Sequence, residues 1–79
     1  MLHIIATPIR IRAAQYAAAM CIKNGAWKAY STPESLRGVR GHVHILPGCS
    51  DELYAAARRA YDMCGHSAKV SLVDLTKVS

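Results

Sequence analysis

Three histidines come nearest to a metal-binding pattern in this sequence. His42 and His44 lie two positions apart in a short apolar run, so a β-strand would point both imidazoles to one face. His3 lies in another apolar run and could join them from a neighbouring strand, and three imidazoles are a ligand set for zinc. No cysteine or carboxylate stands at a suitable spacing nearby. We therefore predict that the chain holds no metal and that these are polar positions of a half-covered sheet.

Cys49 is the residue that most resembles a catalytic nucleophile. It lies at a predicted helix N-terminus, a position that lowers the pKa of a thiol, but Asp51 and Glu52 follow it and oppose that effect. The phosphatase arrangement of a cysteine and an arginine separated by five residues would require arginine at position 55, which is Ala55. We predict no catalytic residue and no enzyme activity.

A weak anion-binding arrangement is the third chemical candidate. Thr7, Arg10 and Ser50 fall where predicted strands end and helices begin, the edge at which parallel sheets bind ligands. Neither a Gly-x-x-x-x-Gly-Lys-Ser/Thr loop nor a Gly-x-Gly-x-x-Gly turn is present, so we predict no nucleotide cofactor. The alternative interpretation is that these residues simply start the helices.

The charge balance is the one compositional bias. Ten Lys and Arg residues face five Asp and Glu residues, which gives a net charge of +5. This excess favours nucleic acid or acidic protein surfaces as partners, although a solubilising surface is the alternative. A basic patch carrying aromatic rings, the combination that binds single-stranded nucleic acid, could form from Lys28, Tyr30, Arg37, Arg40, Arg58 and Arg59.

The hydrophobic pattern predicts four strands and two long helices, separated by Gly and Pro. Strands are predicted over residues 2–6, 27–31, 42–46 and 70–75, helices over residues 9–23 and 51–64, and one helical turn after Thr32-Pro33. Thr7-Pro8 is predicted to start the first helix, and Asn24-Gly25 to end it. Ser50 is predicted to cap the second helix, and Gly65 to end it.

Strands that alternate with helices of this length predict an α/β fold with a mostly parallel sheet. Right-handed crossovers favour the strand order 2-1-3-4, with helices on both faces. A ferredoxin-like antiparallel arrangement is the alternative, but the connection between the second and third strands is too long to favour a hairpin. The predicted inner helix faces carry Ile9, Ala13, Ala17, Met20 and Cys21 in the first helix, and Leu53, Ala57, Ala60, Tyr61 and Cys64 in the second.

Length and composition describe one small folded domain over residues 1–79. Hydrophobic residues make up 52% of the chain and charged residues 19%, which excludes disorder. No apolar run is long enough to span a membrane, and the N-terminus has neither the basic lead nor the cleavage site of a signal peptide. The three cysteines are an odd number at wide spacing, so we expect reduced thiols and a cytoplasmic protein.

The middle of the chain resembles small uncharacterised proteins encoded by bacteriophages. The likeness is carried by Trp27-Lys28-Ala29-Tyr30, by residues 36–41 (Leu-Arg-Gly-Val-Arg-Gly) and by residues 43–48 (Val-His-Ile-Leu-Pro-Gly). Those proteins look like minimal Rossmann-like units without a phosphate loop. The resemblance implies phage origin, expression in a bacterial cytoplasm and a host-directed role.

Two functions from different classes follow. The leading hypothesis is a small non-enzymatic binding protein directed at a host protein or a phage–host assembly, because aromatic and arginine anchors dominate such interfaces. The candidate anchors are Trp27, Lys28, Tyr30, Arg37, Arg40, Tyr54 and Arg58. The alternative is a basic nucleic-acid-binding accessory protein. Self-association through open sheet edges and a small enzyme acting at the carboxyl edge are further alternatives; no membrane partner is expected.

Overall fold

Four short strands and two helices alternate along the chain in a computed structural model, which describes residues 2–64 and 70–77. The strands are β1 (His3–Ala6), β2 (Trp27–Tyr30), β3 (His42–Ile45) and β4 (Leu72–Asp74), and the helices are α1 (Arg10–Ala19) and α2 (Asp51–Cys64). Two 3₁₀ turns complete the order, one at Glu34–Leu36 before β3 and one at Leu75–Lys77 after β4.

The four strands form one sheet in the order β2-β1-β3-β4, and each pair of neighbours is parallel. The predicted α/β fold and strand order are therefore confirmed, and the antiparallel ferredoxin-like alternative is wrong. Alternation along the strands divides the core between the two faces. Ile4, Val43 and Ile45 pack with α2 on one face, whereas Ile5 packs with Ala17 of α1 on the other.

Helix α1 is shorter than predicted at its C-terminal end, and the reason is local. The N–H of Ile22 donates to Ala17 O at 2.9 Å and the N–H of Cys21 donates to Ala18 O at 3.1 Å, which is the Schellman pattern. Cys21 takes the left-handed position of that motif, with φ of 58°. The prediction that Asn24-Gly25 ends this helix is wrong, because the chain has already turned at Cys21.

Three side chains of this segment also lie elsewhere than predicted. Ala13 and Ala17 are buried as expected, but Ile9 and Met20 are 43% and 52% exposed. Cys21 is exposed rather than part of the core, since its left-handed backbone turns it away from the helix face. At the start of the helix Ile9, not Thr7, is the N-cap residue.

Helix α2 follows the prediction closely. The Ser50 hydroxyl accepts the N–H of Leu53 at 3.2 Å, so the predicted cap is confirmed. Leu53, Ala57 and Ala60 are buried against the sheet, and Tyr61 packs at the margin of the same core. The predicted stop at Gly65 and the side chain of Cys64 lie outside the described residues.

Candidate functional site

A groove of about 450 Å³ runs along the open edge of β2. It brings together residues from two distant segments of the chain, the β1–α1 junction and the turn and strand that follow α1. Its lining residues are Thr7, Pro8, Arg10, Asn24, Gly25, Trp27, Lys28, Ala29 and Ser31. Four residues singled out separately in the sequence, Thr7 and Arg10 as an anion site and Trp27 and Lys28 as interface anchors, therefore share one groove.

One wall of this groove is β2, an edge strand whose outer side pairs with no other strand among the described residues. The carbonyl oxygens of Ala26 and Tyr30 accept N–H groups from His3 and Thr7, at 2.8 and 3.1 Å. In a parallel ladder the backbone groups of alternate residues point to the same side, so those of Lys28 also face β1. The N–H and C=O groups of Trp27, Ala29 and Ser31 consequently point to the open edge, and no other strand of the described chain pairs with β2.

The groove is positively charged. Arg10 and Lys28 are both exposed, and no carboxylate is among the lining residues. Trp27 is half-buried, with its ring packed against the core beneath α1. The groove therefore offers an aromatic surface, two cations and a row of outward-pointing peptide groups to an extended anionic ligand.

Ser50, the third residue of the predicted anion site, is not among the groove's lining residues. Its hydroxyl already accepts the N–H of Leu53. Thr7 is buried, and its hydroxyl accepts the N–H of Ile9 at 3.3 Å. Both hydroxyls thus hold the backbone at the starts of the helices, and Arg10 is the member of this set that stays available to a ligand.

A second groove, of about 360 Å³, lies between the first 3₁₀ turn and α2. Its floor is apolar, with Leu36 and Ala60 almost fully buried. Arg37 and Arg59 contribute positive charge to it, and Glu34 contributes one negative charge. Of the predicted basic patch, these two arginines are brought together here, whereas Lys28 lines the other groove.

The remaining predicted anchors are distributed over other parts of the surface. Tyr30 packs at the margin of the α2 core, and Arg40 is exposed in the connection before β3. Tyr54 donates a hydrogen bond to Asp74 Oδ2 at 2.6 Å. That hydrogen bond raises the pKa of Tyr54, with Arg58 nearby acting in the opposite direction.

The three histidines do come together, on the α1 face at the amino end of the sheet. The register places His3 beside His42, and their rings stack with centroids 5.0 Å apart. His44 Nε2 lies 3.0 Å from His3 Nδ1, and its Nδ1 lies 2.7 Å from the hydroxyl oxygen of Tyr16. His42 Nδ1 accepts the N–H of Ser71 at 3.1 Å.

The surroundings of His3 and His44 favour the neutral form of both imidazoles. Burial, together with the neighbouring His3 and His42, lowers the pKa of His44 from 6.5 to about 4. Burial and the same kind of neighbour also lower the pKa of His3. Among the described residues no group of three or more His, Cys, Asp or Glu side chains is placed to hold a metal ion. Hydrogen bonding within the cluster satisfies both ring nitrogens of His44.

The geometry around Cys49 favours a packing role. Its thiol donates to Ala6 O and Leu46 O, each at 3.2 Å, and burial raises its pKa. A raised pKa keeps the thiol protonated near neutral pH, which disfavours nucleophilic attack.

Sequence reasoning missed two features that define these sites. Nothing in the sequence indicated that Tyr16 is the partner of His44, because 28 residues separate them. The grouping of Arg10 with Trp27 depends on the close approach of the β1–α1 junction to β2. A signal was present for the edge itself, since Asn24-Gly25 and Thr32-Pro33 bracket β2 as an isolated short strand.

None of the described helices has the length and apolar character needed to cross a bilayer. No protein family, curated protein or solved structure was found to match this chain, so its likeness to small bacteriophage proteins stays a prediction.

Proposed function

We propose that this chain is a non-enzymatic protein-binding module and that the β2 edge groove is its binding surface. The observation that carries the proposal is the combination of free backbone edge, Trp27 and two cations in one groove without a carboxylate. Following the resemblance to phage proteins, the partner is a protein of the bacterial host cytoplasm.

The groove has the chemistry of a protein-binding edge. Exposed edge strands bind a segment of another chain through main-chain hydrogen bonds, and neighbouring side chains select the sequence. Tryptophan and arginine are the residue types that contribute most to protein interfaces, and Trp27 and Arg10 supply one of each. The principal-axis extents of the domain, 29 × 26 × 25 Å, leave room for one interface of standard size, about 800 Å² per partner.

The test is an affinity capture from bacterial lysate after nuclease treatment, with three forms of the full chain. Lys28→Glu reverses a groove charge, and Lys23→Glu is the matched control because Lys23 is equally exposed but does not line the groove. We expect one protein to be retained by the unmodified chain and by Lys23→Glu, and to be lost with Lys28→Glu. Equal retention by all three forms would place binding elsewhere and contradict the proposal.

Nucleic acid is the second candidate partner, because the net charge is +5 and Trp27 lines the same groove as Arg10 and Lys28. Stacking of bases on an aromatic ring next to cations is how single strands are bound without sequence preference. Such binding weakens steeply with salt, by counterion release. With two phosphates neutralised by Arg10 and Lys28, the affinity for a ten-nucleotide oligothymidine would then fall about sevenfold between about 50 and 200 mM salt. An affinity that does not change over that range excludes this candidate.

A further inference from the structure

We propose that the segment bound at this groove is an extended acidic peptide of the partner that adds to β2 as a fifth strand of the sheet. This inference rests on the proposed function and specifies the chemistry of the partner. It is carried by the direction of the backbone groups of β2, by the charge of the groove and by the turns that close the strand at both ends.

The backbone of β2 presents a half-ladder with no partner in the described chain. The peptide groups of Trp27, Ala29 and Ser31 point away from β1, and these three residues are among those that line the groove. Gly25 precedes this row with a φ of 85°, and Pro33 follows it in the approach to the first 3₁₀ turn. The usable edge therefore spans about five residues, or roughly 16 Å, which matches a segment of five or six extended residues.

The charge of the groove selects an acidic segment. Arg10 and Lys28 flank the edge, and no carboxylate lines the groove. Glutamate or aspartate side chains at alternate positions of an added strand would fall on one face and reach one of these cations. An apolar residue between two such acids would lie on the other face.

The same lysine disfavours a second copy of this chain as the occupant. Two β2 edges paired about a twofold axis would place Lys28 close to its own copy, and like charges across a strand pair destabilise the pairing. An edge lysine is a feature by which proteins prevent edge-to-edge aggregation. An acidic strand from a different protein avoids that repulsion, because its carboxylates attract Lys28.

The experiment titrates the ¹⁵N-labelled full chain with a capped eight-residue peptide in which glutamate alternates with valine. The matched peptide carries lysine in place of glutamate. We expect the acidic peptide to bind at least tenfold more tightly than the lysine peptide. Amide hydrogen exchange at Trp27, Ala29 and Ser31 should slow at least tenfold on binding, while the already paired amide of Lys28 changes little.

Ala29→Pro isolates the main-chain contribution. It removes an N–H that points to the open edge and leaves the ladder with β1 intact, a position at which edge strands accept proline. Ala29→Val is the matched control because it keeps that N–H. We expect Ala29→Pro to weaken peptide binding at least tenfold relative to Ala29→Val. Should the proline variant fail to fold, the exchange data on the unmodified chain decide the question.

Each outcome has a definite meaning. Equal binding of both peptides would overturn the preference for an acidic segment and with it this proposal. Unchanged exchange at the three outward amides, or equal affinity of the two Ala29 variants, would overturn strand addition. Capture of a host protein that still depends on Lys28 would then leave the proposed function standing without this inference. If oligothymidine binds and Ala29→Pro does not affect it, while neither peptide binds, the groove is a nucleic-acid site and strand addition is wrong.

Discussion

The hydroxyl oxygen of Tyr16 lies 2.7 Å from Nδ1 of His44, and this contact links α1 to β3, one of the two central strands of the sheet. His44 is only 4% exposed, and its other ring nitrogen is held by His3 at 3.0 Å. A neutral imidazole has one donor and one acceptor, so these two neighbours together satisfy the ring. The hydrogen bonds of the cluster thus satisfy a polar side chain that is buried between α1 and the sheet.

We expect the hydroxyl group of Tyr16 to contribute measurably to the stability of the fold. Tyr16→Phe leaves a nitrogen of the buried His44 ring without its partner, and an unsatisfied buried polar group costs about 1–3 kcal/mol. Urea unfolding at pH 7.5 measures the loss. Tyr61→Phe is the control, since Tyr61 packs at the margin of the other core, and its effect should stay within about 0.5 kcal/mol. Equal losses in the two variants would contradict the role given to this contact.

Because of the histidine cluster, we predict that the folded state becomes less stable in mild acid. The pKa of His44 is about 4 in the folded chain and 6.5 in the unfolded chain, so the unfolded chain binds more protons between these values. The free energy of unfolding should therefore fall as the pH drops from about 6.5 to 4, by about 3 kcal/mol from this group. The lowered pKa of His3 acts in the same direction. Below about pH 4 His44 is protonated in both the folded and the unfolded chain, so it lowers the free energy of unfolding no further.

Urea titrations between pH 7.5 and 4 test this dependence, with His44→Gln as the comparison. Glutamine keeps hydrogen-bonding capacity but does not titrate, so the slope of unfolding free energy against pH should flatten in the variant, whatever its absolute stability. An unchanged slope would assign the acid sensitivity to other groups.

Gly41 has no room for a side chain. A Cβ built there would clash with the carbonyl oxygen of Leu2, the group that accepts the N–H of His42. Gly41→Ala must therefore displace the start of β1 from β3, and we expect a loss of about 1–3 kcal/mol or more in thermal or urea unfolding. Gly38→Ala is the control. It has a φ of 72° but open space around it, so its cost should be limited to about 1 kcal/mol of backbone strain.

At position 21 we expect glycine to stabilise the fold more than the natural cysteine does. Its φ of 58° ends α1 in a Schellman motif, where glycine is free of the strain that a Cβ causes. Cys21→Gly should raise the unfolding free energy by about 0.5–1 kcal/mol, the relief of strain being partly offset by the entropy of glycine in the unfolded chain. Cys21→Ala keeps a Cβ and should show no such gain. A stabilised alanine variant would indicate that the thiol, not the backbone, is unfavourable there.

Local patterns in the sequence account for the architecture. Apolar runs of strand length alternate with segments of helical period, and together with the right-handed crossover rule they lead to the order β2-β1-β3-β4. The cap at Ser50 and the buried face of α2 follow from residues within one or two turns of each other. The strands, the helices and the Ser50 cap are encoded locally, and the crossover rule then restricts the strand order, so these features can be derived before the tertiary contacts are known.

Contacts between distant segments are different, because they depend on strand register and on how the helices pack. The pairing of His3 with His42 and of His44 with Tyr16 joins residues 39 and 28 positions apart, and only the assembled sheet brings them together. The edge groove likewise needs the β1–α1 junction to lie beside β2. The C-terminal end of α1 was predicted wrongly for another reason. The left-handed residue that ends this helix is Cys21, whereas glycine is the usual sequence signal for a helix end. Secondary structure and strand order were thus readable in the chain, whereas the candidate site exists only in the folded molecule.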